Sequence, residues 1–341
     1  MNSEKKISKL FLGFFALIVF VTGINTALAQ GNEKVKVSSE ELKIIKKIEE
    51  AKTLDEKIKA TEEYIGKYPK SPARAQAANY LAGQITQLTD DAVIVSSGEK
   101  YLAIFTEPTE ADFILPSLAY SYVQQKRYKE GFNTAEKYLA RNADDVTLRL
   151  QLAIEGANLA RTGNKEFAQQ SRNYAQKAIE IIEANKKPAD IDDLRWKEYQ
   201  TKWLPQLYQS LSFINFSAGD AATARANFEK STKLNPGDVN NWVMYGSILN
   251  DEYQNLAQKH SAAPAQEKEA VLKQATEKLD QVIQIYARIV ALTDGNPAAA
   301  QINKQVRDDL EMYYKFRHKN STDGMKELID KYKTQTPISS N

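Results

Sequence analysis

Between Pro205 and Pro236 the chain reads Tyr208-x-x-Leu211-Ser212-x-x-Asn215, then Gly219-Asp220, then Ala224-x-x-x-Phe228, then Leu234-Asn235-Pro236. Large residues three and four apart mark one face of a helix. Gly-Asp interrupts that face, a second helical spacing follows, and Asn-Pro stops it. The next segment opens with Trp242-x-x-Tyr245-Gly246-x-x-Leu249, and Trp242 lies 34 residues after Tyr208. Upstream, Leu115-x-x-Leu118-Ala119-x-x-Tyr122 precedes Tyr128, Gly131 and Ala135, and Arg149-x-x-Leu152-Ala153-x-x-Gly156 again falls 34 residues on. The unit of this chain is therefore a repeated helix–turn–helix.

Packing explains the residue types. A small residue at Ala119, Ala153, Ser212 or Gly246 admits the second helix of its own pair, and Ala224 and Gly131 do the same from the opposite side. Large residues such as Phe228 fill the seam to the neighbouring pair. One pair cannot bury its apolar face alone, so neighbours must stack. These residues resemble the tetratricopeptide repeat family, whose helix–turn–helix is about 34 residues long. The resemblance is closest over residues 110–236. It implies an all-α fold, a right-handed superhelical solenoid of about six to seven antiparallel helix pairs.

Outside that region, helical spacing continues from Ser38 to Lys333 with loop signals between the helices. Asp144 or Asp145 and Asp238 are placed to cap the helices that follow them. The repeat pattern breaks where Asn215 replaces a usual aromatic, where Asp192 to Trp203 forms an extra segment, and where residues 250–270 are inserted. The expected organisation is a signal peptide over 1–29, a linker over 30–37, N-terminal capping helix pairs over 38–109 and repeats over 110–300. A C-terminal capping pair over 301–334 and a disordered tail over 335–341 complete it.

The first segment has Lys5, Lys6 and Lys9 before an apolar run, Leu10 to Val21, and small residues at Ala27 and Ala29. That is the pattern of an exported protein cleaved after Ala29, in the periplasm or outside the cell, with no stable membrane span after cleavage. Removal takes the 46 basic residues to 43 and, with Glu4 gone, the 44 acidic residues to 43. A neutral chain has no electrostatic footprint for nucleic acid. The absence of cysteine excludes disulfides, thiolate metal sites, thiol nucleophiles and a lipoprotein anchor. With 14 Gly in 341 residues, turn-rich β folds and phosphate-cradling loops are disfavoured.

Little points to catalysis. His260 and His318 stand far apart, and neither has a partner at metal-binding spacing. Of the paired acids Asp90-Asp91, Asp144-Asp145, Asp192-Asp193 and Asp308-Asp309, three sit at helix starts, where capping explains them. No nucleophile elbow or phosphate loop is present. The expectation is a non-enzyme without cofactor or metal.

Two candidate binding surfaces remain. Trp196, Tyr199 and Trp203 share one helical face, as local core or as an exposed strip for a peptide or glycan. By the resemblance, the first helix of each pair lines a peptide-holding groove. Repeat phase assigns to it Tyr120 and Gln124, then Gln209, Phe213 and Phe216, then Asn240, Met244 and Ser247. This surface is amphipathic and uncharged, without a Lys/Arg cluster. The leading expectation is a non-catalytic exported scaffold for protein–protein interactions, its partners envelope or periplasmic proteins or peptides. The alternative is a carbohydrate- or peptidoglycan-associated module using the aromatic strip. Nothing in the sequence assigns an oligomeric state.

Overall fold

The computed structural model describes residues 36–335. The expected signal peptide, most of the linker and residues 336–341 of the tail lie outside the described residues. Every regular element among the described residues is helical, and no strand occurs. The fold is all-α. The helices fall into two compact units divided between Ala143 and Asp144.

The first unit contains α1 (Ser39–Glu50), α2 (Leu54–Lys67), α3 (Arg74–Thr86), α4 (Asp91–Ile104), the single turn α5 (Pro108–Ala111), α6 (Leu115–Gln124) and α7 (Tyr128–Leu139). Local chemistry sets the helix starts. Thr53 and Glu56 form a reciprocal capping box, and Asp90 accepts from the Ala92 and Val93 amides. Consecutive helices pack as pairs, α1 with α2, α3 with α4 and α6 with α7. Ile44, Ile58, Tyr64, Leu81, Ile85, Tyr101 and Ile114 fill the largest cluster between them.

The α6–α7 approach is very close. A Cβ on Gly131 would lie 2.5 Å from Val123 Cγ2 and 2.9 Å from the Ala119 carbonyl oxygen. Ala119 and Gly131 are thus the small residues that face each other across this pair. Two carboxylates are also buried in this unit. Glu110 takes a two-pronged contact from Arg74, at 2.7 and 2.9 Å, while its backbone carbonyl accepts from the Tyr101 hydroxyl. Glu41 accepts from the Tyr64 hydroxyl at 2.8 Å and from the Ser71 hydroxyl. A buried carboxylate is tolerated only with such partners.

The second unit contains α8 (Val146–Arg161), α9 (Ala168–Glu183), α10 (Asp193–Glu198), a π-helical turn (Tyr199–Trp203), α11 (Leu204–Ser217), α12 (Ala221–Leu234), α13 (Val239–Ala262), α14 (Ala265–Thr293), a 3-10 turn (Pro297–Ala299), α15 (Ala300–Arg317) and α16 (Met325–Gln335). Asp145, Asp192, Asp220 and Asp238 each cap the helix that follows them. The pairs are α8 with α9, α11 with α12 and α13 with α14, and α11 also packs on α8 and α9. A chain of polar contacts ties the end of α12 to the starts of α11 and α13. Ser231 donates to the Pro205 carbonyl at 2.8 Å and accepts from Asn241 Nδ2 at 2.8 Å.

The inserted residues 250–270 continue two helices rather than forming a loop. They lengthen α13 to 24 residues and α14 to 29, against 14 for α11. At a rise of about 1.5 Å per residue, α14 is about 44 Å long. His260 lies in the last turn of α13. The hairpin is pinned at its base by Glu252, which meets Arg225 of α12 at 3.1 Å and Lys278 of α14 at 2.6 Å. A Cβ at Gly246 would stand 3.1 Å from the Tyr286 ring, so glycine sets the α13–α14 approach there.

The last two helices each pack on α14, where Leu310, Tyr314, Ile329 and Tyr332 join Ile283, Tyr286 and Val290 in one cluster. The Arg288 guanidinium lies 4.6 Å from the Trp242 ring and 4.5 Å from the Tyr332 ring, which fastens α16 across α14 to α13. No helix among the described residues is long and apolar enough to cross a membrane.

Candidate functional site

The aromatic triplet is inside the second unit. Trp196 is 6% exposed, Tyr199 0% and Trp203 5%. Trp196 donates its indole N–H to Asn185 Oδ1 at 2.8 Å, and the Tyr199 hydroxyl pairs with Thr147 at 2.7 Å. Burial pushes the Tyr199 phenol up from its ordinary value, so it stays protonated. Lys202 covers the Trp203 ring at 4.6 Å. The extra segment before Pro205 therefore acts as packing, with its π-helical turn leading into α11, and stacking a sugar would require it to unpack.

The repeat-phase residues behave differently. On α11, Gln209 and Phe213 are half-buried and Phe216 is 40% exposed. On α13, Asn240 and Ser247 are exposed and Met244 is half-buried. Each set has the spacing i, i+4, i+7, so each forms one stripe on its helix. The stripes meet through shared packing. Phe213 and Met244 both rest on the buried trio Ala224, Phe228 and Ile248, with Phe213 edge-on to Phe228 at 5.3 Å and 88°. In the first unit, Tyr120 is half-buried and Gln124 exposed on α6. They belong to a separate unit from the other six.

One residue of this surface escaped the sequence reading. The Arg161 guanidinium lies 4.5 Å from the Phe213 ring centroid. It comes from the end of α8, 52 positions before its ring partner, and no spacing within one helix pair reveals it. Lys165, in the turn after α8, donates to the Ser217 carbonyl at the end of α11. The surface of the second unit is thus bordered by positive charge, a correction to the uncharged surface expected from repeat phase alone. Charge brought in from the preceding helix pair is the reason.

Among the described residues no group of three or more His, Asp or Glu side chains is placed to hold a metal ion. The paired acids Asp90, Asp145 and Asp192 accept backbone N–H groups at helix starts. A cleft of about 670 Å³ lies where α15 and α16 separate over α14. Its walls are Ile283, Leu328 and the Tyr314 ring, with Asp280 held by Arg317 at 2.7 and 3.0 Å. His318 is stacked on Tyr314 at 4.1 Å.

Stacked antiparallel helix pairs with a half-exposed face define a class of helical-repeat architecture. No protein-family model matches the chain, and no curated protein matches it. Among solved structures it is similar to one described as "Functional Characterization of Pseudomonas Aeruginosa pilF". That match has 12% identity and a TM-score of 0.36, covering 77% of this chain and 97% of the other. It is also similar to a tetratricopeptide repeat protein from Parabacteroides merdae, with 13% identity, a TM-score of 0.36, and coverage of 86% and 98%. At that level of similarity neither neighbour's role transfers to this chain.

Proposed function

We propose that this protein is a non-catalytic scaffold that docks other proteins or peptides, exported to the periplasm or cell envelope. The observation that carries the reading is the two-stripe face of the second unit. Gln209, Phe213, Phe216, Asn240, Met244 and Ser247 leave apolar and amide groups accessible on two first helices of successive pairs. Buried seams beneath them hold the face rigid, which lowers the entropic cost of binding. Export rests on the charged start, apolar run and small-x-small site of residues 1–29. Nothing in the geometry favours a glycan platform, because the rings that would form it are packed inside.

The test is site-specific photo-crosslinking in living cells. A photoreactive residue at position 216 or 247 should give discrete adducts, whereas one at position 273, on the projecting hairpin, should not. Absence of reproducible adducts at 216 and 247 refutes the docking reading. Recovery of a mature chain beginning at Gln30 from the envelope fraction checks export, and a chain retained with residues 1–29 in the cytoplasm refutes it.

A further inference from the structure

We infer that the corner formed by Arg161, Phe213 and Phe216 takes a partner segment bearing a carboxylate next to a large apolar side chain. This inference rests on the docking reading above and names the chemistry of the partner.

Arg161 is exposed at the end of α8, and its guanidinium lies against the Phe213 ring at 4.5 Å. No ion pair forms at Arg161 among the described residues. Other arginines are engaged: Arg74, Arg127, Arg141 and Arg317 each hold a carboxylate. A guanidinium that rests on a ring keeps its N–H donors in its own plane, directed away from that ring. A planar carboxylate accepts two of them at once, and such charge-assisted pairs are about twice as strong as neutral ones. The ring contact restricts the Arg161 rotamers beforehand, so less freedom is lost when a partner arrives.

The apolar half of the site is adjacent. Phe216 lies three residues after Phe213 on α11 and is 40% exposed. A partner side chain covering it removes apolar surface from water on both sides. Lys165, bonded to the Ser217 carbonyl, adds a second positive charge at the end of α11. Arginine and aromatic residues side by side are the types that dominate binding energy at protein interfaces. Charge complementarity thus selects an acidic segment, and the exposed ring selects an apolar neighbour within it.

Fluorescence anisotropy with labelled peptides tests this on the purified chain. The probes are peptides with Phe or Leu within two residues of Asp or Glu, and matched peptides carrying Asn or Gln instead. The acidic set should bind at least about tenfold more tightly, with the difference shrinking in high salt. Arg161→Gln should abolish the preference, and Phe216→Ala should weaken both sets by about tenfold. Neither change should alter the helical circular dichroism, and Lys273→Gln should bind like the parent. Equal binding of both sets, or a preference that survives Arg161→Gln, overturns the inference. So does an oligonucleotide that binds through Arg161 as tightly as the peptides, since the corner would then read any anion. Adducts at position 216 in cells without an acidic preference leave docking intact and sink only this inference; loss of the adducts sinks docking itself.

Discussion

Two helical glycines should respond oppositely to alanine. At Gly131 the new methyl would sit 2.5 Å from Val123 Cγ2 and 2.9 Å from the Ala119 carbonyl oxygen. The side chain can rotate, but the carbonyl belongs to α6, so α6 and α7 must separate by several tenths of an ångström. Overpacking of that kind costs about 1–3 kcal/mol. Alanine returns about 0.5–1 kcal/mol of helix propensity, leaving Gly131→Ala destabilised by about 1 kcal/mol when the middle of each range is taken. At Gly83, in the last turn of α3, nothing lies within 4 Å of the added carbon. Only the propensity gain remains there, and Gly83→Ala should be stabilised by about 0.5–1 kcal/mol.

The two variants should therefore differ by about 2 kcal/mol in urea unfolding followed by far-ultraviolet circular dichroism. Hydrogen exchange of α6 and α7 peptides should localise the loss in Gly131→Ala. All three Trp residues lie in the second unit, so Trp emission reports the other half of the chain and serves as an internal reference. A Gly131→Ala variant as stable as the parent, or a Gly83→Ala variant equally damaged, refutes the claim that close helix approach fixes Gly131.

Three further outcomes are expected. Trp196→Ala and Trp203→Ala should each cost about 3–5 kcal/mol, the usual loss for a buried aromatic; unchanged urea midpoints would show that the rings are not core. Arg288→Ala removes the cation held between Trp242 and Tyr332. Trypsin should then cut within 325–335 faster than in the parent, while cleavage of α8 and α9 stays unchanged, and an unaltered digestion pattern would contradict the fastening role. Burial alone would raise the Glu41 carboxyl, but the Ser71 and Tyr64 hydroxyls and the Ser38 backbone contact together outweigh it and leave it below the usual 4.5. A depressed folded value means that Glu41 contributes stability above its unfolded value, and that the contribution is lost as pH falls through the folded value. The stability difference between the parent and Glu41→Gln should therefore be constant near neutral pH and shrink below about pH 4.5, which urea titrations across pH will show.

The helix-pair architecture was readable because its causes are local. Ala119, Gly131, Gly246 and Phe228 announce close approach and seam filling by size alone, and Asp90, Asp145, Asp192 and Asp238 announce helix starts by their capping chemistry. The candidate face was readable to the extent that it follows a 34-residue phase. What escaped depends on distance. Arg161 meets Phe213 across 52 residues, and Glu252 joins Arg225 and Lys278 from three helices. Residues 250–270 break the family pattern without breaking helical spacing, so a pattern-based reading calls them an interruption where the backbone simply continues its helix. The Trp196 strip was ambiguous for a different reason: an aromatic stripe has the same spacing whether it meets a core or a ligand.

The long α13–α14 hairpin carries one more consequence. In its outer half Val271 and Ala275 are buried on α14, whereas α13 has no buried residue beyond Leu249. Thin burial of that kind makes the tip the place where amides exchange earliest. Cooperativity with the rest of the chain enters at the Glu252 clasp and beside it at Tyr313, whose hydroxyl accepts from Gln254 Nε2 at 3.0 Å and whose ring packs edge-on to Tyr253. The reach of this arm is thus a nearly independent dimension of the architecture: whole turns can be spliced in or trimmed near Pro264 while every seam below the clasp keeps its registry.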